Sequence, residues 1–465
     1  MKPKFDSTLA AALFFAVPLL ACAQALTPQQ RLARDIHKEL VEINTVTATG
    51  DTAKAAEAMA ARLRTAGFPA ADVQVFTPAP RKGNLVARLR GSGAKKPILL
   101  LAHIDVVDAK REDWSTDPFK LVEKDGYFYG RGTEDDKFMA AAFVANLIRY
   151  RQEGLRPARD IILALATDEE IGDADRLGIR WLIANQRDLI DAEFALNEGG
   201  GVGTKGGKPL RNGLQTAEKI YVDYRLEVTN RGGHSAQPRK DNAIYRLAEG
   251  LARLAQHEFP VKLNETTRLW FERSAAMEAP QNATDMRALA AGRADAAAIA
   301  RLSADPAFNA RMRTTCVATT LQGGHALNAL PQLARANVNC RVLPGESIAE
   351  LEKTLATVLA DEQIAVIRAY EPNASAPSPL RPDLMQAIEQ LTARFWPGIP
   401  VIPSMSAGAT DGSFLRNAGI PTYGHSGLAS DIDDVRAHGR DERVAVQAFD
   451  DGLEYLYRLV KMLSQ

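Results

Sequence analysis

The chain has no excess charge of either sign: its 465 residues carry 57 basic and 57 acidic side chains. That balance argues against nucleic acid or an anionic membrane surface as a partner. Cysteine is scarce. Cys22, Cys316 and Cys340 are too few and too widely spaced for a disulfide scaffold or a cysteine-rich zinc site. A Gly-x-Ser-x-Gly elbow is also missing, so neither Gly233-His234-Ser235 nor Gly424-His425-Ser426-Gly427 has the spacing of a serine-hydrolase nucleophile. Beyond the amino terminus no apolar run reaches the length of a transmembrane helix.

What is present begins with a leader-like segment. Lys2 and Lys4 precede an apolar stretch from Leu9 to Ala21, and Ala23-Gln24-Ala25 has the small-x-small form of a cleavage site. Residues 1–25 therefore read as a signal peptide, and the expected location is periplasmic or secreted. Leu19-Leu20-Ala21-Cys22 also has the form of a lipoprotein box, which would tether the protein through Cys22.

The organising stretch is Pro97–Val107, a continuous apolar run ending in His103-x-Asp105. Such a run fits a strand buried on both faces of a parallel sheet. Residues two apart on a strand point the same way, so an acid at 105 can steer the imidazole at 103. Two further apolar strands end alike: Ile161–Thr167 runs into Asp168-Glu169-Glu170, and Glu193–Asn197 into Glu198. Before a helix expected over Phe138–Tyr150, Gly130-Arg131-Gly132-Thr133-Glu134-Asp135-Asp136-Lys137 crowds acids among glycines. Ligands bind at the carboxyl ends of such strands. Acids gathered there repel one another unless a cation holds them, which points to a metal centre. His438, in Ala437-His438-Gly439-Arg440-Asp441-Glu442, is the candidate second histidine. His37 is expected to be a packing or surface residue.

Organisation follows from pattern changes. The spacing predicts helix from Thr27 to about Gly67. The glycines of Gly199–Gly207 contain a nominal dinucleotide fingerprint, but Gly207-Lys208-Pro209 leaves no helix to follow it. From Lys219 to Thr229 apolar residues alternate, so a second domain is expected from about residue 217 to 373. Its order reads as strand, helix (Ala243–Ala255), an alanine-rich insertion (about 259–313), strands 314–322 and 334–343, helix Ile348–Leu359 and strand Ile364–Ala369. That is a split β-α-β-β-α-β arrangement. Residues 26–216 and 374–465 would form the catalytic domain. A hairpin with Gln322 opposite Ala334 would set Cys316 opposite Cys340, as a disulfide or as two buried thiols. The returning segment supplies Gly408-Ala409-Thr410-Asp411-Gly412, from which Thr410 and Asp411 are candidate substrate contacts.

These motifs, in order along nearly all of the mature chain, resemble those of the two-zinc exopeptidase and deacylase family. That family includes acetylornithine deacetylase, succinyl-diaminopimelate desuccinylase, aminoacylase, glutamate carboxypeptidase and carnosine-type dipeptidases. The resemblance implies an α/β, mostly parallel-sheet zinc-exopeptidase catalytic domain with an inserted α+β, ferredoxin-like lid domain. It implies His103, Asp135, Glu170, Glu198 and His438 as ligands of two Zn2+ ions, with Mn2+ or Co2+ as substitutes. Asp135 would bridge the metals, Asp105 would orient His103, and Glu169 would be the general base on a metal-bridging water. Gly233-His234-Ser235 resembles the lid motif whose histidine, here His234, stabilises an oxyanion, often across a homodimer interface in relatives. Asn328-x-x-Pro331 and Arg341 resemble the segment that holds a substrate carboxylate, for which arginine's planar fork is suited. Where relatives have glycine after the motif's lysine, Phe138 stands here, and a reshaped metal-site rim is expected. The implied activity is a metal-dependent exopeptidase of carboxypeptidase or dipeptidase type, acting on a small peptide. The alternatives are an N-acyl amino acid deacylase and, from another class, a non-catalytic periplasmic binding protein.

Overall fold

The computed structural model describes residues 25–171 and 177–465, so the leader-like segment and Cys22 lie outside the described residues. Its largest element is a ten-stranded sheet. At its centre Ile161–Ala166, Ile98–His103, Phe194–Asn197 and Thr422–Gly424 run parallel as consecutive neighbours. Alternation explains their uniform apolarity. Ile98, Leu100 and Ala102 pack into one core with the helices Pro28–Glu42, Thr52–Thr65, Lys137–Gln152 and Val446–Leu463. Leu99 and Leu101 enter another with Ile179, Leu182 and Leu415. The sheet is thus covered on both faces, as parallel strands require.

The region expected to be helical from Thr27 to Gly67 is two helices, Pro28–Glu42 and Thr52–Thr65. Between them Val46 bridges Val106, and Asp51 caps the second helix by accepting from the Lys54 amide. His37 is a packing residue, buried against Phe128 and Phe449. Phe138 also turns into the core, edge-on to Phe449 at 5.3 Å and against Gly452. The expectation that it reshapes the metal-site rim is therefore corrected. The glycine-rich stretch forms a hairpin, Gly201–Lys205 with Lys208–Glu218, turned at Gly206 and Gly207. Both have positive φ (55° and 76°), the conformation that a two-residue hairpin loop demands.

A separate four-stranded antiparallel sheet has the order Thr315–Gly323, Leu333–Val342, Ile220–Thr229, Ala365–Arg368. Numbered along the chain this is 2-3-1-4, the order of a split β-α-β-β-α-β unit. Its own core joins Val222, Tyr224 and Leu226 to Leu247 and Leu355 of the helices Ala243–Gln256 and Ile348–Leu359. Cys316 faces Cys340 and the two are disulfide-bonded. A bulge at Thr319 shifts the far end by one residue, so Gly323, not Gln322, faces Ala334.

The insertion forms four helices between Glu265 and Met312. They enclose a small core of Trp270, Phe271, Met286, Leu302 and Phe308 that also includes Ile402 of the large sheet. Arg273 ties them to the same strand by donating to the Val401 carbonyl at 2.7 Å. No helix among the described residues is long and apolar enough to cross a membrane.

Candidate metal centre

Three neighbouring strands deliver the centre. His103 ends one strand and is in register with Ala166, the end of its neighbour, so Asp168-Glu169-Glu170 begins two residues beyond that end, after Thr167. Glu198 follows the strand on the other side. Asp135 precedes the helix Lys137–Gln152, and His438 comes from the returning segment with φ 62°.

The side chains converge as two groups that share Asp135. His103, Asp135 and Glu198 offer ligand atoms within 4.8 Å of one another, and so do Asp135, Glu170 and His438. His103 Nε2 lies 3.0 Å from Asp135 Oδ1 and 3.9 Å from Glu198 Oε2. His438 Nε2 lies 3.1 Å from Asp135 Oδ2 and 2.9 Å from Glu170 Oε2. The two oxygens of Asp135 thus face different imidazoles.

The support beneath is specific. His103 Nδ1 donates to the Asp105 main-chain carbonyl at 3.1 Å, while the Asp105 carboxylate stands 3.6 Å away. That carboxylate also accepts from the amides of Glu169 (3.2 Å) and Glu170 (3.1 Å), so one buried acid fixes the loop bearing both glutamates. Across the site Glu442 accepts from the amides of Gly132, Glu134 and Asp135 at 3.0, 2.9 and 3.2 Å. Neither Arg131 nor Glu442 stood out in the sequence, because a partner some three hundred residues away leaves no local pattern.

The electrostatics favour a cation. Burial pushes the carboxyls of Glu169, Glu198 and Asp136 well above the usual carboxylate range, and neighbouring acids add to the shift. Burial likewise lifts Asp411 to about 7. Burial also opposes ionisation of Asp135, but hydrogen bonds from His103 and His438 outweigh it and hold its pKa low. Hydrogen bonds to Asp135 and Glu170 raise His438 to about 10. Asp136 Oδ2 and Asp411 Oδ2 are buried without a hydrogen-bond partner. Two imidazoles and a surplus of crowded carboxylates form a donor set that fits two divalent cations.

Two cavities adjoin the cluster. One, of about 770 Å³, is lined by Glu169, Glu170, His438, Arg341, Thr410 and Asp411. The other, of about 500 Å³, is lined by Asp135, Glu198 and residues of the insertion. Arg341 lies over the Tyr221 ring at 4.3 Å and donates to the Ala407 carbonyl at 2.8 Å. Thr410 is held by the buried Glu218, which accepts from its amide and hydroxyl and pairs with Arg416 at 3.0 Å. His234 and Asn328 line neither cavity. They stand together on an exposed ribbon, Gly233–His234 with Ala329–Leu330, where the Ser235 amide donates to the Asn328 carbonyl.

A covered α/β sheet that gathers imidazoles and carboxylates at its parallel strand ends defines the class as a metallo-hydrolase. Residues 99–462 match the peptidase family M20/M25/M40, and the chain belongs to that family. It is a metal-dependent hydrolase of peptide or amide bonds. N-fatty-acyl-amino acid synthase/hydrolase PM20D1 of Xenopus tropicalis is 31% identical over 376 residues, covering 78% of this chain and 72% of that one. Probable carboxypeptidase S-like 2 of Dictyostelium discoideum is 29% identical over 380 residues, covering 79% and 71%. In fold, an M20 family metallo-carboxypeptidase of Sulfolobus solfataricus superposes with a TM-score of 0.67 at 17% identity, over 92% of this chain and 98% of that one.

Proposed function

We propose that this protein is an exported exopeptidase of carboxypeptidase or dipeptidase type, cleaving the amide bond next to a free carboxylate. The observation that carries this reading is one cavity bounded by Glu169, by the Glu170–His438 pair and by Arg341. His103 and Glu198 would hold one Zn2+, Glu170 and His438 the other, and Asp135 both, with Mn2+ or Co2+ as acceptable substitutes. Such cations, when bound, polarise an amide carbonyl and acidify water. Glu169 takes the attacking water's proton and hands it to the leaving amine. The Asp105 carboxylate positions Glu169 by accepting from its amide. Arg341 pairs with the substrate carboxylate through its planar fork, and Thr410 and Asp411 contact the substrate at the same wall.

Residues 217–373 act as a lid that carries Arg341 over the catalytic part, residues 26–216 and 374–465. His234 and Asn328 reach the cleft of a second copy, so the working unit is a homodimer joined through the lid. The exposed edge strand Thr315–Gly323, with Val317 61% and Leu321 64% exposed, is a face suited to that pairing. Export rests on the leader-like residues 1–25. A second reading, N-acyl amino acid deacylase, draws support from the likeness to the Xenopus tropicalis relative. Both readings use the same cavity and the same carboxylate.

Hydrolysis of a panel of dipeptides and N-acyl amino acids, with and without chelator, tests the proposal. Cleavage lost to chelator and restored by zinc is expected, and the preferred compounds separate the two readings. Glu169→Gln should retain metal yet lose about 10²–10⁴-fold in kcat. Full activity in that variant would remove Glu169 as the base.

A further inference from the structure

The cavity of about 500 Å³ on the Asp135–Glu198 side of the cluster has its own charged wall. Arg211 lies on the strand Lys208–Glu218, and Gly213 and Gln215 follow on the same face and line the same space. Gly201 and Gly203 of the adjoining strand put no side chain in the way; the Arg211 chain runs past Gly203, 3.8 Å from where a Cβ would stand. The helical insertion supplies the facing wall: Trp270 is buried, and Arg311 lies over its ring at 4.4 Å.

Neither arginine is neutralised. Arg211 makes no hydrogen bond or ion pair among the described residues. Arg311 donates to the Ala307 carbonyl at 2.8 Å, and its Nε is buried without a partner. Burial disfavours the charge on both, and each guanidinium carries the like charge that repels the other; Glu278 and Asp305 offset part of this cost. Glu134, Asp135, Asp136, Glu198 and Asp431 line the same cavity, but none of them forms an ion pair with either arginine among the described residues. Two guanidiniums half-withdrawn from water toward one cavity, neither held by a carboxylate, form a receptor for an anion. The insertion that carries Arg311 has no other chemistry in view.

We propose that Arg211 and Arg311 bind a carboxylate on the acyl side of the scissile bond, so that the favoured substrates carry an acidic acyl group or an acidic residue before that bond. This rests on the amidohydrolase reading above, in which Arg341 takes the carboxylate of the leaving amine on the opposite side of the cluster. The enzyme then selects substrates that are anionic at both ends. A long neutral acyl chain would leave the two arginines desolvated and unpaired.

The test compares N-glutaryl-phenylalanine with N-pentanoyl-phenylalanine, which differ by one terminal carboxylate. The zinc-supplemented protein should favour the glutaryl compound at least tenfold in kcat/KM. Arg311→Met and Arg211→Met should each lower that ratio about tenfold, chiefly through KM of the glutaryl compound, while Arg311→Lys keeps part of it. A wild-type ratio of one or less, or a ratio unchanged in both methionine variants, overturns the proposal. If neither compound is cleaved, the hydrolase reading fails for them, and equilibrium binding of the same two compounds decides the subsite. Tenfold tighter binding of the glutaryl compound, lost in Arg311→Met, sustains it; equal binding overturns it.

Discussion

Arg131 and Glu442 form a buried ion pair, Nη1 to Oε2 at 2.6 Å, that joins the turn bearing Asp135 to the loop bearing His438. The guanidinium also donates to the carbonyls of His438 (3.3 Å) and Gly439 (3.0 Å), while Glu442 gathers the amides of the turn. The placement of Asp135 and His438, on both sides of the candidate centre, therefore depends on one pair. Glu442→Gln leaves a buried arginine without its counter-charge, at a cost of about 3 kcal/mol. It should also weaken metal binding by roughly 10–100-fold, as loss of outer support usually does. Thermal melting and a metal titration check the two effects separately. A lower melting temperature with unchanged metal affinity would confine the pair to stability.

In the proposed function Arg341 bears on substrate rather than on metal. Its guanidinium stacks over Tyr221, which itself stacks on Tyr370 at 6.2 Å, so the fork is held facing the cavity. A charge-assisted hydrogen bond is worth about 1.5–3 kcal/mol, which corresponds to roughly 10–100-fold in affinity. Arg341→Ala should raise KM by that factor for substrates with a free carboxylate and leave kcat nearly unchanged. An amidated substrate should not register the change. A KM that stays put would assign the carboxylate to another group.

Cys316 and Cys340 join the edge strand of the four-stranded sheet to its neighbour and close a loop with a sequence separation of 24. By loop-closure entropy such a link stabilises by roughly 3 kcal/mol. Cys316→Ala with Cys340→Ala should lower the melting temperature of the oxidised protein, and dithiothreitol should lower that of the wild type but not of the double variant. Equal melting of wild type and variant under oxidising conditions would show that the link contributes nothing.

Much of this architecture was legible because it follows local periodicity. Uniformly apolar strands ending in His103, Glu169-Glu170 and Glu198 specify a two-faced sheet with acids at one edge. The alternation from Ile220 to Val228 specifies a sheet open on one side. That Cys316 stands opposite Cys340 was legible too, though not whether the two are bonded, and Thr319 bulges out and moves the end of the hairpin by a residue. What stayed hidden depends on partners distant in sequence. Glu442 reads as one more acid in an acidic loop until Arg131 is beside it. Asp105 reads as the partner of His103, and its carboxylate does stand beside the imidazole; that it also accepts from the Glu169 and Glu170 amides depends on a strand pairing that no local pattern shows. The insertion showed only helical composition; that Trp270 and Arg311 face the metal side of the large sheet depends on tertiary packing. Phe138, expected at the rim of the metal site, turned out to fill space against Phe449 and Gly452.

His425 offers a pH prediction that does not involve the acids and imidazoles of the candidate metal centre. It is buried, its Nδ1–H donates to the Gly213 carbonyl at 2.7 Å, and its Nε2 accepts from the Tyr455 hydroxyl at 2.8 Å. A carbonyl can only accept, so the proton sits on Nδ1 and the ring is neutral. Burial pushes its pKa down to about 4, against about 6.5 for an exposed histidine. As pH falls the unfolded chain takes up this proton first, so the native state loses stability. The contribution is full above about pH 6.5, declines by up to about 1.4 kcal/mol per pH unit, and levels off below about pH 4. His37, pushed down to about 3 by burial, acts in the same direction. His425→Gln should therefore flatten the acid limb of the stability profile between pH 6.5 and 4 relative to wild type. Its stability at pH 7.5 should also fall, through loss of the Tyr455 bond. Urea midpoints taken every half pH unit measure both. An acid limb equally steep in the variant would mean that His425 is not held neutral in solution.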